Sequence, residues 1–486
     1  MHIYERIMAE ITNAIYHGQL LPGSRVPSVR TYALNNRVSL NSVKTAYRLL
    51  EDKGLIFARP QSGYFVCESL PELKDFLPKI VESNILQLSG MDNLLAIILE
   101  YQREGRYIDL ALACPVGESF YPLNRLRKLT TKIARSAATF TPRYTMPAAS
   151  PKLSTQIARR GVQLGMHLCA EDILITHGTM EALNIAVRAA TCSGDSVVIE
   201  TPSFFNLYPM LEHLGRKIIN IPTHPQQGMC LDSLEELIID QNIKAVITIP
   251  SGHNPLGFSM PIENRRRLAE MAARHHFAVI EDAMYAELQF TTPVIPNIKA
   301  FDKEGWVMIC ASYTKTVAPD FRLGWLEAGR FRKIAHQMKF TTSVAESSLL
   351  SEILGEFLEN GSYDLHLRHL KRLYVRQIDT VRACIANSFP RGTHVSRPQG
   401  GFILWIEMPK CVDTIELFHS AIKENIICMP GVVCSRLVHF SHCLRLAVCF
   451  ILDQAHRHAI KRLGELACIQ YNDKNNTYHD SDEFSL

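Results

Sequence analysis

Several things are missing from this chain. Its 13 cysteines are scattered, and no CxxC pair or Cys/His cluster has metal-ligand spacing. A zinc module and a disulfide scaffold are thereby excluded, and reduced thiols are expected. No window approaches the ~20 uninterrupted apolar residues of a membrane-spanning helix. The opening stretch, MHIYERIMAE, carries charges where a secretory leader needs an apolar run. A soluble, cytoplasmic protein is expected, with no membrane partner. There is no internal repeat, and no excess of charge large enough to imply wholesale disorder. What is present is ordinary globular material: 47% apolar and 21% charged residues over 486 positions. That length exceeds what one hydrophobic core usually serves, so at least two domains are expected.

The formal charge is +4, and its distribution is informative. Residues 1–67 hold six Arg and two Lys against three Glu and one Asp, which is the whole excess; the remainder has 44 residues of each sign. A short basic module on a neutral body suits contact with a polyanion. The same segment has a distinct pattern. Ile3, Ile7, Ile11, Ala14 and Ile15 repeat at helical spacing, and His17-Gly18 closes that helix. Ser28 can cap a second helix to about Asn35, with Asn36 and Arg37 as a turn. Ser39 can cap a third, reaching Lys53 and ending at Gly54, with Val43, Ala46, Tyr47, Leu49 and Leu50 on its buried side. LIFAR and YFVCE then flank Pro60-Gln61-Ser62-Gly63 as a hairpin. Three helices followed by a hairpin make a winged helix-turn-helix.

The pieces GQLLPGSRVPSVR, RVSLNSVKTAYRLLEDKGL and RPQSGYFV, in this order, resemble the DNA-binding domain of GntR-family regulators. The resemblance implies a double-stranded DNA operator as partner. It implies base and phosphate contacts from Ser39, Asn41, Ser42 and Lys44 on the recognition helix, from Arg30 on the preceding helix, and from Arg59 and Gly63 at the wing. Leu40 stands where many members of that family carry Arg.

Residues 68–86 are acidic and proline-punctuated and read as a linker. A helix at about 88–103 opens a second domain, 87–470. Within it, apolar strands at 173–176, 196–200, 245–249, 277–283 and 306–312 alternate with helical stretches. That is βα alternation around a buried, mostly parallel sheet. From about residue 341 a long helix and strands at 402–408 and 444–448 suggest a smaller α+β lobe. The tail 471–486 is polar, and disorder is expected from Asn472.

The chemistry concentrates in CASYTKTVAPDFRLGWLEAG (310–329). A Ser, a Lys three positions on and an Arg seven beyond it are residue types that an aldehyde-phosphate cofactor needs. Lys alone among side chains supplies an amine for a Schiff base, and Ser312 and Arg322 supply a hydroxyl and a permanent cation for phosphate. SxxK by itself is a weak signal, but other motifs accompany it in order: RYTMPAAS, ITHGTMEAL, TPSFF, PSGHNPLG, VIEDAMYAEL and CLRLAV. Together they resemble fold-type I, pyridoxal 5'-phosphate (PLP)-dependent aminotransferases. The implied fold is α/β, a mostly parallel sheet with large and small lobes.

The resemblance implies roles residue by residue. Lys315 carries the cofactor as an internal aldimine. Asp282 pairs with the pyridine nitrogen and keeps it protonated. Tyr285 and Asn254 bond the phenolic oxygen, and Phe204 stacks on the ring. Gly178, Thr179 and Met180 offer backbone N–H groups to the phosphate at a helix N-terminus. Tyr144 reaches the phosphate of a partner subunit, and Arg445 clamps an α-carboxylate. Family members usually have Gln at His253, Gly at Ala149 and Arg at Ser154. A GntR winged helix followed by such a domain is the arrangement of the MocR-type regulators. It implies a homodimer that senses an amino acid, an amine or PLP itself. The competing expectation is a working aminotransferase with an appended DNA-binding domain.

Overall fold

The computed structural model describes residues 3–16, 20, 23–52, 55–59, 62–66, 88–135 and 150–482. The linker expected at 68–86, the helix-closing His17, Gly18 and Gly54, and Tyr144 and Ala149 lie outside them.

At the N-terminus, α1 (Ile3–Tyr16), α2 (Val29–Asn36) and α3 (Leu40–Asp52) precede the antiparallel pair β1 (Ile56–Arg59) and β2 (Gly63–Val66). Ser28 accepts from the Thr31 N–H at 3.1 Å, and Ser39 from the Ser42 N–H at 3.0 Å, so each hydroxyl caps its helix as expected. Arg37, at φ 51°, takes the left-handed position that ends α2. Ile7, Ile11, Val26, Val43, Ala46, Tyr47, Leu50, Ile56 and Val66 close a small core.

The second domain opens with α4 (Leu88–Glu104) and β3 (Ile108–Asp109), followed by α5 (Leu123–Ala134) and α6 (Pro151–Gln163). Then β4 (Ile173–His177), α7 (Gly178–Ala190), β5 (Ser196–Thr201), α8 (Leu207–His213), β6 (Lys217–His224), β7 (Gly228–Met229), α9 (Leu231–Asp240), β8 (Ile243–Thr248), α10 (Ile262–His275), β9 (Ala278–Asp282), β10 (Val307–Ser312) and β11 (Leu323–Glu327) build an eight-stranded sheet. Its order is β4-β11-β10-β9-β8-β5-β6-β7. The five central strands, β10 to β6, are parallel, and β11 enters antiparallel between β4 and β10. Sequence reading missed β11 because LGWLE lies inside a motif read for its chemistry. The parallel strands are apolar runs because both faces are covered. Val198, Val246, Val279 and Ile309 face one core cluster, and their neighbours Val197, Ile247, Ile280 and Met308 face the other.

The smaller lobe follows: α11 (Arg332–Thr342), α12 (Ser348–Glu359), the 27-residue α13 (Ser362–Ser388), β12 (His394–Val395), β13 (Ile403–Glu407), α14 (Thr414–Lys423), β14 (Ile426–Ile427), β15 (Met429–Pro430), β16 (Cys443–Ala447) and α15 (Gln454–Asp482). Four of its strands form an antiparallel sheet, β12-β13-β16-β15, while β14 pairs in parallel with β3. The expected disorder from Asn472 is corrected: the backbone of α15 stays helical to Asp482. Its first half is anchored by buried Ile460, Leu463 and Ala467. Nucleation is therefore already accomplished, and the polar continuation contains no Pro or Gly to stop it. Lys474 also reaches Glu416 of α14 at 3.3 Å.

Among the described residues no helix is long and apolar enough to cross a membrane. No group of His, Cys, Asp and Glu there is placed to hold a metal ion.

Candidate functional site

The residues singled out in the second domain come from the C-terminal ends of neighbouring parallel strands, where open α/β sheets place ligands. β10 ends at Ser312 and leads to Lys315; β9 ends at Asp282; the loop after β8 carries Asn254. The carboxylate-clamp candidate Arg445 comes from β16 of the other lobe.

Lys315 is largely buried. Burial holds its amine below the ordinary lysine range, and the cations of Arg322 and Arg445 press the same way, while the thiols of Cys114 and Cys449 oppose them. Asp282 is 6% exposed, and burial pushes its carboxyl up to about 7. The Met284 N–H, donating to its Oδ1 at 3.0 Å, pulls the other way, and the neighbouring charges of Glu281 and Glu200 add to the rise. A cationic ring nitrogen beside such a carboxyl would restore its charge. Tyr285 is 3% exposed with its hydroxyl pushed up by burial, and its ring meets Phe402 edge-on.

The orphaned polar atoms are the most informative feature. A buried donor or acceptor without a partner costs about 1–3 kcal/mol, more when charged. Asn254 Oδ1 is buried with none. Arg445 is 1% exposed, and its Nη2 donates to the Ala111 carbonyl. Its Nε and Nη1 have no partner among the described residues, and the guanidinium lies 5.8 Å from the Phe205 ring centroid. Two free N–H groups on a buried cation fit a carboxylate.

The phosphate end has a matching cradle. Gly178, at φ 75°, begins α7, and a Cβ there would sit 3.1 Å from Arg322 Nη2. A Cβ on Gly324 would come 2.6 Å from the Gly178 carbonyl carbon. Only glycines let β11 and the start of α7 approach this closely. Thr179 is buried beside them and Met180 half-buried. The Ser312 hydroxyl shares a 2.7 Å hydrogen bond with Thr314, which sequence reading passed over although it lies inside the Ser–Lys motif.

Phe204 packs against Phe205 at 4.9 Å between centroids, and it is Phe205 that faces Arg445. Phe205, Cys114 and Cys449 were all missed. The two cysteines meet Lys315 only through the tertiary fold, and no local pattern marks them. His253, fully buried, has its Nε2 3.3 Å from Glu200 Oε2 and stacks on Phe258. Ser154 is buried with an unpartnered hydroxyl.

In the N-terminal module, Arg30, Asn41, Lys44 and Arg59 are exposed. None of these cations makes an ion pair with a described residue. Ser42 is half-buried, and the Ser39 hydroxyl is committed to its cap. Arg59 lies over Phe57 and Phe65 at 5.2 and 4.6 Å. Gly63, at φ 99°, packs against Arg25; a Cβ there would lie 3.4 Å from Arg25 Nη2. Sequence reading missed Arg25, which joins the wing through a bridge to Phe65.

Known proteins share both halves. Residues 3–66 match the bacterial regulatory proteins of the gntR family, and residues 114–463 match aminotransferase class I and II. An uncharacterized HTH-type transcriptional regulator of Escherichia coli K12, YjiR, is 31% identical over 95% of this chain and 98% of its own length. The HTH-type transcriptional regulator NorG of Staphylococcus aureus is 26% identical over 90% of this chain and 98% of its own. Among solved structures, Pyrococcus horikoshii kynurenine aminotransferase, in complex with PMP, superposes with a TM-score of 0.71 at 25% identity, covering 79% of this chain and 95% of that one. PLP is the cofactor of this fold family, and the buried Asp282 carboxyl, the lowered Lys315 amine and the glycine cradle beside Arg322 fit it. With a GntR helix-turn-helix joined to a class I and II aminotransferase domain, the chain belongs to the MocR-type subfamily of GntR-family regulators.

Proposed function

We propose that this chain is a cytoplasmic, PLP-holding transcriptional regulator that binds operator DNA through its winged helix and senses a small amine-bearing molecule at Lys315. Bound PLP supplies an aldehyde that bonds to amines and a ring that withdraws electrons. Lys315 provides the protein's own amine, kept nucleophilic by burial. Asp282 would pair with the ring nitrogen and keep it protonated. Tyr285 and Asn254 would bond the phenolic oxygen, and Phe204 would stack on the ring. Ser312, Arg322 and the N–H groups of Gly178, Thr179 and Met180 would hold the phosphate. Tyr144 would serve the partner subunit of a homodimer.

The observation that carries the sensing role is Arg445. Its buried guanidinium, with Nε and Nη1 unpartnered among the described residues, suits an amino acid's carboxylate better than a plain amine. PLP itself is the alternative effector. On the DNA side, Arg30, Asn41, Lys44 and Arg59 are exposed and supply phosphate and groove contacts. Ser39 and Ser42 order the start of α3, and Gly63 shapes the wing.

A second reading, an active aminotransferase, has one specific observation in its favour: a base, an electron-sink partner and a carboxylate anchor are all present in Lys315, Asp282 and Arg445. One experiment separates the two. The purified protein, loaded with PLP, is scanned by visible absorbance with each amino acid, and its operator affinity is followed alongside. A spectral response that changes DNA affinity without releasing a keto acid supports sensing. Steady keto acid release with unchanged DNA affinity would reject it in favour of catalysis.

A further inference from the structure

Immediately after Lys315 the chain is gripped from the other lobe. Thr316 is 3% exposed. Its carbonyl accepts from His366 Nε2 at 2.8 Å, and its hydroxyl lies 3.1 Å from the Tyr363 hydroxyl. Both partners sit on the first two turns of α13. The Tyr363 hydroxyl is also 3.0 Å from Glu287 Oε2. Its single proton goes to that carboxylate, which leaves the Thr316 hydroxyl to donate back. Glu287 in turn accepts from Arg160 Nε at 2.6 Å, and Arg160 Nη1 donates to Asp364 at 2.9 Å. The Arg160 guanidinium lies over the Tyr363 ring, 4.3 Å from its centroid.

The cluster therefore joins the Lys315 loop, the turn just beyond Tyr285, α6 and the start of α13. Tyr363 is fully buried and His366 is 8% exposed, so a displaced Thr316 would strand polar groups away from water. Burial holds His366 down to about 4, so its imidazole stays neutral and Nε2 keeps the proton it donates. α13 then runs 27 residues to pack along α15.

We propose that Tyr363 and His366 are positioning residues that hold Lys315 through Thr316, and that α13 reports to the rest of the smaller lobe whether Lys315 is engaged or displaced. The proposal rests on Lys315 being the cofactor anchor. It adds the first structural step by which occupancy of that site would be transmitted.

The test uses the full-length, PLP-loaded protein and aminooxyacetate, which displaces the lysine of such a site whatever the natural effector. Displacement is read by visible absorbance, and amide hydrogen exchange is read over residues 362–370. In the native protein, displacement should raise exchange in that segment. Thr316→Val and Tyr363→Phe should keep PLP affinity within about twofold. They should also lower the half-saturating aminooxyacetate concentration about fivefold each, because both remove the one hydrogen bond between Tyr363 and Thr316. His366→Gln, which keeps a donor, should fall between. PLP affinity separates positioning from misfolding, because a merely structural loss would lower both. Full displacement with no change in exchange at 362–370 would overturn the relay and leave the cofactor reading intact. An absorbance band that survives Lys315→Ala would overturn both.

Discussion

The two ends of the chain use arginine in opposite ways. In the winged helix, Arg30 and Arg59 are exposed, and neither is paired with a carboxylate among the described residues. In the large domain, buried arginines are spent. Arg265, fully buried, donates to the carbonyls of Met260, Pro296 and Pro250 and to the Ser251 hydroxyl. Arg160 is held by Glu287 and Asp364. Arg445 breaks the pattern: it is buried like these, yet its Nε and Nη1 have no partner among the described residues. Water can satisfy an exposed, unpaired cation, so such a residue is available to any polyanion at little cost. It cannot satisfy a buried one, so Arg445 suits one small anion of definite shape. The first kind of cation serves a long, repetitive partner and the second a compact one.

Four predictions would break or sharpen that contrast. The largest effect is expected of Lys315→Ala. It should abolish the absorbance band of covalently held PLP while leaving DNA affinity within about twofold; loss of both would mean that the two ends are not separable. Arg445→Gln should raise the amino acid concentration needed for a spectral response on the order of 100-fold, as expected for two charge-assisted hydrogen bonds at about 1.5 kcal/mol each. Amines without a carboxylate should be nearly unaffected, and equal losses for both would remove Arg445 from the clamp. Arg30→Ala should weaken operator binding about tenfold and flatten its salt dependence by about one counterion, with no change in the PLP spectrum.

The last prediction concerns pH. Burial raises Asp282 from the ordinary aspartate range to about 7, so between about 4 and 7 the folded cofactor-free protein holds a proton that the unfolded chain has released. Its contribution must therefore fall as pH rises through that window. Thermal unfolding of the PLP-free protein should show the loss, and Asp282→Asn should remove that component. PLP should remove it too, because a protonated ring nitrogen favours the carboxylate. An identical pH profile in Asp282→Asn would show that burial does not raise this carboxyl.

Much of this was legible in one dimension. The caps at Ser28 and Ser39 are local, since a hydroxyl three residues before an N–H needs nothing from the rest of the chain. The parallel strands announced themselves as apolar runs, and Ser312, Lys315 and Asp282 stood at strand ends where ligand chemistry belongs. Other features were hidden for stated reasons. β11 lay inside a motif read for its chemistry. The end of α15 reads as disordered by composition but continues a helix anchored elsewhere. Tyr363 and His366 sit on a long helix with nothing local to distinguish them, and they matter because Thr316 happens to lie opposite.

The sequence by itself determined which residue types are available and in what order: an amine, a carboxyl, a phosphate cradle and a basic module kept apart from a neutral body. Local hydrogen bonding and strand and helix periodicity act over a few residues, and these patterns express them directly. The tertiary structure alone decided that Arg445 is buried with two donors free, that Cys114 and Cys449 stand by Lys315, and that α13 grips Thr316. Such facts depend on desolvation and on partners brought from distant parts of the chain. No window of sequence contains either.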